Sequence, residues 1–369
     1  MHRMKSLTLL TCLLGVMALA AREVRAATPS PALLVLEKTD NTLAIVDPAT
    51  LQIVARVPAG EDPHEVVASD NGKLAYISNY GGEGGTMNTI SVVDLIARKP
   101  LRPIDLGALH SAHGLAIADG KLYFTAETNK VIGRYDPATE QIDWVLGTGQ
   151  DRTHMIVVAK DLRQIVTSNV SSGTVSIIEQ IAQQNGTLGR PPGAISSQGA
   201  PPPGPGVGPR RTWVVTNVRA GNGSEGFDVS PDGMEIWVAN AQDGTITIID
   251  MGSKKVSQTV PISVKGANRL KFTPDGSRVL ISGLGARGVS APSSSGDLAV
   301  LDVATRKEIK LLSLGGGSAG ILIEPDGGRA YVAVSATGNI AVVDLKTLEV
   351  VHEISAGNHP DGLAWAVRH

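Results

Sequence analysis

Three histidines, two acids and an asparagine stand at matching positions of a repeated segment in this 369-residue chain. Each follows a Gly-rich loop and begins a short apolar stretch, such as HEVVAS or HGLAIA. Aligned on that stretch, the seven positions, which we call the column, are His64, His113, His154, Glu225, Asn268, Ala319 and Asp361. Neutral imidazoles combined with a carboxylate are the ligands that suit Zn²⁺, Mn²⁺, Fe²⁺ or Cu²⁺.

The column predicts a divalent metal site formed by His64, His113, His154 and Glu225 from four successive repeats. Such a ligand set leaves room for water or substrate, and the ion would polarise a carbonyl or activate water. Asp361 would orient water or take a proton, so Glu225 and Asp361 are the expected catalytic acids. Two alternatives stay open: a water-filled polar channel that binds a ligand, and a structural ring of imidazoles bonded to backbone groups.

Residues beside the column extend the expected ligand site. The guanidinium of Arg269 is expected either to bind an anionic substrate, or to form an ion pair with Glu225, or to pack between repeats. Glu65 is expected to point away from the channel if its strand is regular. The expected ligand-binding residues are His64, His113, His154, Glu225, Asn268, Arg269, His359 and Asp361.

The elements that position these residues follow from the repeat length. Column residues recur at intervals of 41 to 51 residues, apart from one interval of 71, and a period slightly above forty is typical of four-stranded propeller blades. Turn signals recur in phase. DNG or PDG separates the first and second strands, where Gly takes a positive φ, and an Asp with a following Thr separates the third and fourth.

The first repeat, which begins at Ala32, contains only three strands, and its missing inner strand is DGLAWAV at the end of the chain. Pairing the two termini in one blade leaves no open sheet edge. The sequence therefore predicts an all-β protein: a seven-bladed β-propeller of four-stranded antiparallel blades, closed by the C-terminal strand.

These repeats resemble the YVTN family of bacterial β-propellers, through YISN at Tyr76, WVAN at Trp237, PHEVVASDNG at Pro63 and SPDGMEIWVAN at Ser230. The resemblance covers nearly all of residues 27–369 and implies the propeller fold. Its members and relatives include lactone-cleaving enzymes, lyases, propeller domains of redox proteins and surface proteins, so it does not imply one activity.

Residues 1–26 are predicted to be a secretory signal peptide, with basic residues before an apolar run and small residues suited to cleavage after Ala20 or Ala26. The remaining residues 27–369 are expected to form one domain, secreted or periplasmic, without cysteine and without a membrane span. Cleavage changes the formal net charge from −2 to −5, because four basic residues and one acidic residue are lost. A mildly acidic chain without a basic stripe is a poor nucleic-acid binder.

Three insertions interrupt the repeats. The Pro-rich and Gly-rich stretch at about 180–211 is predicted to be disordered, between third and fourth strands. The stretches 80–88 and 283–296 both join second to third strands, so they should flank the channel mouth to which the column points, opposite to the Pro-rich stretch.

Two functions are consistent with these features. We expect a binding or interaction module that acts as a monomer. Its expected partner is a small-molecule ligand or a protein at the channel mouth. The alternative is a metal-assisted hydrolase or lyase that acts on a lactone or ester, with the metal held by the column.

Overall fold

The computed structural model describes residues 27–82, 86–182, 211–285 and 297–369. Within these ranges the chain forms β-strands without an α-helix, and the strands build seven antiparallel sheets. The sheets are the blades of a seven-bladed β-propeller, which confirms the predicted fold class. The predicted signal peptide lies outside these ranges, and no helix of the described residues could cross a membrane.

Each blade has an inner strand at the channel and an outer strand at the rim. The inner strands are β4 (Pro63–Ala68), β9 (Ala112–Ala118), β13 (Thr153–Val158), β17 (Ser224–Val229), β21 (Ala267–Phe272), β25 (Ser318–Ile323) and β29 (Pro360–Ala366). The second strands are β5 (Leu74–Asn79), β10 (Lys121–Ala126), β14 (Gln164–Asn169), β18 (Glu235–Asn240), β22 (Arg278–Gly283), β26 (Arg329–Val334) and β1 (Ala32–Glu37).

The third and fourth strands complete the blades. The third strands are β6 (Thr89–Asp94), β11 (Val131–Asp136), β15 (Thr174–Ala182), β19 (Thr245–Asp250), β23 (Asp297–Asp302), β27 (Asn339–Asp344) and β2 (Thr42–Asp47). The outer strands are β12 (Gln141–Gly147), β16 (Arg211–Arg219), β20 (Lys255–Pro261), β24 (Lys307–Ser313), β28 (Glu349–Ser355) and β3 (Gln52–Pro58), with two short pieces, β7 (Lys99–Pro100) and β8 (Ile104–Asp105), in the remaining blade.

The ring closes as predicted, because β29 pairs with β1 in the sheet order β29-β1-β2-β3. The repeated turns also form as expected. Gly72 and Gly233 have φ of 64° and 74° in the turns that follow inner strands. In the turns that follow third strands, Asp47 and Asp344 accept hydrogen bonds from backbone amides two residues ahead.

The apolar core lies between neighbouring blades. One cluster joins Leu33 and Val35 of β1 to Tyr331 and Ala333 of β26, all fully buried. Because aromatic residues are few, most of these contacts are made by branched aliphatic side chains packed sheet on sheet. This packing fixes every inner strand against its neighbours.

The Pro-rich insertion lies between third and fourth strands, as predicted. Strands β15 and β16 pair without a shift from Thr174 and Arg219 to Ala182 and Arg211. The strands therefore extend into the stretch assigned to the insertion. The remainder, residues 183–210, is outside the described residues, as are residues 286–296 and 83–85 of the other two insertions.

Candidate functional site

Every inner strand has a register shift at its column residue. In β4, Pro63 pairs with Asn79 and Val66 with Ile77, so that His64 and Glu65 together oppose Ser78. The same two-against-one arrangement recurs in the other six blades. Such a bulge re-aims side chains and increases the local twist. It places the column at the mouth of the channel.

A hydroxyl on the second strand holds several of these bulges. Thr125 accepts a hydrogen bond from the Gly114 amide over 2.9 Å and donates to the His154 carbonyl of the next blade over 2.7 Å. Ser168 similarly connects the Met155 amide to the Glu225 carbonyl. These bonds link the amide that follows one column residue to the carbonyl of the next column residue. The spacing between neighbouring column residues is therefore fixed.

The column surrounds a cavity of about 150 Å³, which we call the central cavity. Its lining includes every expected ligand-binding residue. The lining residues are Lys38, His64, Tyr80, His113, Arg152, His154, Glu225, Asn268, Arg269, Leu284, Ala319, His359 and Asp361. Tyr80 and Leu284 belong to the connections between second and third strands, so these connections do reach the channel mouth.

His154 lies between two carboxylates. Its Nδ1 donates a short hydrogen bond to Glu127 Oε1, and its Nε2 lies 3.1 Å from Glu225 Oε2. Glu127 also accepts a hydrogen bond from the Tyr80 hydroxyl over 2.7 Å and a longer one from Arg152 Nε over 3.4 Å. All three members of the acid–imidazole–acid group are almost fully buried.

Hydrogen bonds and nearby charges determine the protonation of this acid–imidazole–acid group. Burial opposes the charged forms, yet the hydrogen bonds and charges of Glu127 and Glu225 outweigh it and raise the pKa of His154. Burial also acts to raise the pKa of Glu225, but His154, Arg269 and Arg152 lower it to about 2. Both carboxylates are therefore ionised at neutral pH.

His113 differs from its neighbours. Its ring stacks on His154 with centroids 3.7 Å apart, and it is only 2% exposed. Burial and the positive charge of nearby groups lower its pKa well below the usual value, so the ring is neutral. Its Nδ1 is buried without a hydrogen-bond partner among the described residues.

His64 faces a second set of charges. Its Nε2 lies 3.3 Å from Asp62 Oδ2 and its Nδ1 lies 3.8 Å from Asp361 Oδ2. Lys38 Nζ lies 3.4 Å from Asp62 and 4.0 Å from Asp361. His64 and Asp361 are thus neighbours in the cavity, and the catalytic role of Asp361 stays a prediction.

The expectation for Glu65 was wrong. Arg269 Nη2 donates a hydrogen bond to Glu65 Oε1 over 2.5 Å. The two residues come from blades on different sides of the channel. The bulge at His64 breaks the alternation of side chains that a regular strand would impose. Arg269 therefore pairs with Glu65, and its Nη1 also donates to Asn268 Oδ1 over 3.2 Å.

The structure brings together only part of the predicted metal set. Among the described residues, the group whose ligand atoms all lie within 4.8 Å of one another consists of His113, Glu127 and His154. Glu225 is in contact with this group through His154. His64 stacks near His113, with centroids 4.9 Å apart, but its ring nitrogens face Asp62 and Asp361. Whether these residues bind a metal stays a prediction.

The sequence analysis missed Glu127, Tyr80 and Lys38. Each directly follows the end of a second strand, as does Leu284, so they form another set of matching positions at the same mouth. Aligning the repeats at this point, as was done for the column, would have found them.

A second set of matching positions, of which His359 was predicted and the others were not, has a backbone signal. Asp62, Arg152 and His359 each lie two residues before a column residue, with φ of 51°, 53° and 56°. Gly223 and Gly266 occupy the equivalent places in other blades, also with positive φ. Of these three residues, Arg152 and His359 line the central cavity, and Asp62 contacts His64 and Lys38 of its lining.

Comparisons with known proteins support the fold alone. No protein-family profile matches the sequence, and no curated protein is significantly similar to it. Among solved structures, a functionally unknown protein from Desulfotomaculum acetoxidans superposes with a TM-score of 0.68 at 13% identity, over 92% of this chain and 100% of that chain. At this identity the likeness carries no information on activity.

Proposed function

We propose that this chain is a secreted binding module of the YVTN-repeat type, whose central cavity binds a small, positively charged ligand. The fold supports a binding role, since a rigid ring presents convergent groups at its channel mouth. The YISN and WVAN repeats and the features of residues 1–26 support the family and the export.

The sign of the ligand's charge is inferred from the ionisable groups in and around the cavity. Among the described residues, two carboxylates and three permanent cations line the cavity itself, and three further carboxylates form ion pairs with those cations from just outside it. The carboxylates are Asp62, Glu65, Glu127, Glu225 and Asp361, and the cations are Lys38, Arg152 and Arg269. This excess of negative charge is the observation that carries the proposal, because a buried site of this charge favours a cation.

The size of the ligand is limited by the cavity. A void of about 150 Å³ that opens at the channel mouth encloses a group about the size of benzene. Small ammonium ions and hydrated metal ions fit within this volume.

A thermal melting series tests this function. We expect small ammonium salts or divalent metal chlorides, but not acetate or sulfate salts of sodium, to raise the melting temperature of residues 27–369. A ligand at a hundredfold excess over its Kd stabilises by about 2.7 kcal/mol. Glu225→Gln should abolish the shift, and Glu349→Gln, on the exposed face of β28, should leave it unchanged. No shift with any cation would refute the proposal.

A second function, metal-assisted hydrolysis of a lactone or ester, is favoured by the grouping of His113, Glu127 and His154. Lactone turnover that depends on added Zn²⁺ and is lost in Asp361→Asn would support it. If metal-loaded protein turns over no member of a panel of lactones and esters, hydrolysis is refuted and binding is the remaining proposed function.

Export is tested separately. Fractionation of producing cells and the mass of the released protein should show loss of residues 1–20 or 1–26. A protein that retains residues 1–26 would contradict it.

A further inference from the structure

We propose that a cavity at the rim of the propeller, beside Tyr76, binds a guanidinium group. The cavity has a volume of about 480 Å³ and lies between the blade of β4–β8 and the blade of β9–β12. We call it the rim cavity, and its lining includes Leu74, Tyr76, Val92, Arg102, Tyr135 and Glu140. The proposal does not depend on the cation that we propose for the central cavity.

The first observation is a repeated contact between an aromatic ring and an arginine. In four blades the third residue of the second strand is aromatic, and in three of these an arginine guanidinium lies over the ring. This contact is attractive because the ring face is electron-rich. The three pairs are Arg134 over Tyr123 at 5.8 Å, Arg306 over Trp237 at 4.9 Å and Arg329 over Tyr331 at 5.8 Å. The fourth aromatic residue is Tyr76, and among the described residues no guanidinium lies over its ring.

Each of the three covering arginines also binds a carboxylate through two of its nitrogens. The acids are Asp143, Glu235 and Glu324. A planar guanidinium can make both contacts at once, with one face on the ring and its edge toward the carboxylate. In these blades the ring, the arginine and the acid therefore form one group.

The three arginines come from three different positions, and around Tyr76 none of these positions is an arginine. Arg329 lies two residues before its ring, and Arg134 lies opposite its ring on the third strand. Arg306 lies in the neighbouring blade, four residues after the end of the third strand. The matching residues around Tyr76 are Leu74, Val92 and Glu140, and all of them line the rim cavity. The rim cavity therefore lies where this blade lacks the arginine, and it retains an acid.

The hydroxyl of Tyr76 lacks the partner that the matching residues have. The Tyr123 hydroxyl accepts a hydrogen bond from Arg134 over 3.4 Å, while Trp237 and Tyr331 donate to carboxylates over 2.9 Å and 3.0 Å. Tyr76 is only 3% exposed, and its hydroxyl has no hydrogen-bond partner in the described part of the chain. A guanidinium in the rim cavity would donate to this oxygen, as Arg134 donates to Tyr123.

The charges around the rim cavity favour a cationic ligand. Its charged lining residues are two acids and one arginine: Asp105, Glu140 and Arg102. Glu140 is exposed and has no ion-pair partner among the described residues, so its carboxylate is available to a ligand. Arg102 is also exposed, and its guanidinium lies over neither Tyr76 nor Tyr135. A ligand guanidinium that stacks on Tyr76 and binds Glu140 would complete the group that the other blades contain.

An irregular outer strand opens this space. In the blade of Tyr76, the short pieces β7 and β8 replace one continuous outer strand. The pairs Ile90–Ile104 and Val93–Pro100 enclose two residues of β6 and three residues of the outer chain. The extra residue displaces the outer chain from the sheet, and residues 101–103 line the cavity. The space for a ligand is therefore built into the fold of this blade.

Tyrosine ring signals in carbon-13 spectra test the proposal in the parent protein. The chain has five tyrosines, and each reports a known place. Tyr76 and Tyr135 line the rim cavity, Tyr80 lines the central cavity, and Tyr123 and Tyr331 already contact an arginine. Arginine amide should shift the signals of Tyr76 and Tyr135 alone. Citrulline amide, in which a neutral urea group replaces the guanidinium, should shift none of the five.

Variants locate the ligand. Val92→Arg places a guanidinium of the chain opposite Tyr76 on β6 and should abolish the shifts. Glu140→Gln should weaken the affinity for arginine amide about 10–100-fold, because a charged hydrogen-bond acceptor is lost. Glu349→Gln, on the exposed face of β28, is the matched control and should bind as the parent does.

Three results would overturn the proposal: no shift of Tyr76, equal shifts with citrulline amide, or undiminished binding in Val92→Arg. Shifts of Tyr80 alone would also overturn it, because the guanidinium would then occupy the central cavity, and they would support the proposed function instead. A capped Gly-Arg-Gly peptide identifies the source of the guanidinium. Shifts of Tyr76 equal to those with arginine amide support an arginine of a protein chain, and shifts with arginine amide alone support a free guanidino compound.

Discussion

The ion pair between Glu65 and Arg269 crosses the channel, and its removal gives a quantitative test of the arrangement around the central cavity. The side chains are 14% and 9% exposed and lie 2.5 Å apart. The chain offers a control pair with nearly the same separation, Lys130 and Asp151 at 2.6 Å, whose side chains are 47% and 60% exposed. Burial is therefore the main difference between the two pairs.

The expected magnitudes follow from that difference. Removing one partner of a buried pair costs about 3–5 kcal/mol, because the other charge is left uncompensated. Arg269 also feels the charges of Asp361 and Glu225, so we expect the lower end, about 3 kcal/mol, for Glu65→Gln. An exposed pair contributes about 0.2–1 kcal/mol.

Double-mutant cycles measured by urea unfolding separate these cases. Glu65→Gln, Arg269→Met and the double variant should give a coupling free energy of about 2 kcal/mol. Lys130→Met, Asp151→Asn and their double variant should give less than about 1 kcal/mol. Equal coupling in the two cycles would refute the view that Glu65 and Arg269 meet in a shielded channel.

Further predictions concern packing and acid stability. Gly114→Ala would place a Cβ 2.4 Å from the His154 carbonyl oxygen and should lower the free energy of unfolding by about 1–3 kcal/mol. Gly147→Ala, whose Cβ meets nothing within 4 Å, should not lower it, and equal losses in the two variants would contradict the packing described. Burial opposes ionisation of Asp62, but His64 and Lys38 hold its pKa well below the ordinary 3.8. Its stabilising effect is therefore complete above pH 3.8 and lost as the pH falls toward the lowered pKa. In acid denaturation the free-energy difference between the parent and Asp62→Asn should shrink below pH 3.8, and a constant difference would contradict this.

The fold was predictable because its signals are local and repeated. The turn at Gly72 needs a positive φ, and the turn at Asp47 needs a side-chain acceptor; neither depends on distant residues. The C-terminal strand could be assigned to the first blade because that blade lacked an inner strand.

The site was predictable only for the residues that stand at matching positions of the repeated segment. His113 and His154 stand at matching positions, so the sequence places them together. The side chains that contact the column depend on strand bulges and on contacts between blades. Neither follows from the alternation of side chains along a regular strand. The bulge at His64 turns Glu65 into the channel, and Glu127 reaches His154 across two blades that the hydrogen bond from Thr125 to the His154 carbonyl joins.

The pairing of β29 with β1 has a consequence for biogenesis. His359 directly precedes β29 and Asp361 belongs to it, and both line the same cavity as His64 from the first half of the chain. A chain cut short before this strand would have an incomplete cavity and an unpaired edge on β1, which is prone to aggregation. A ligand that contacts both ends would bind only the closed ring, so occupancy would mark chains whose assembly is finished.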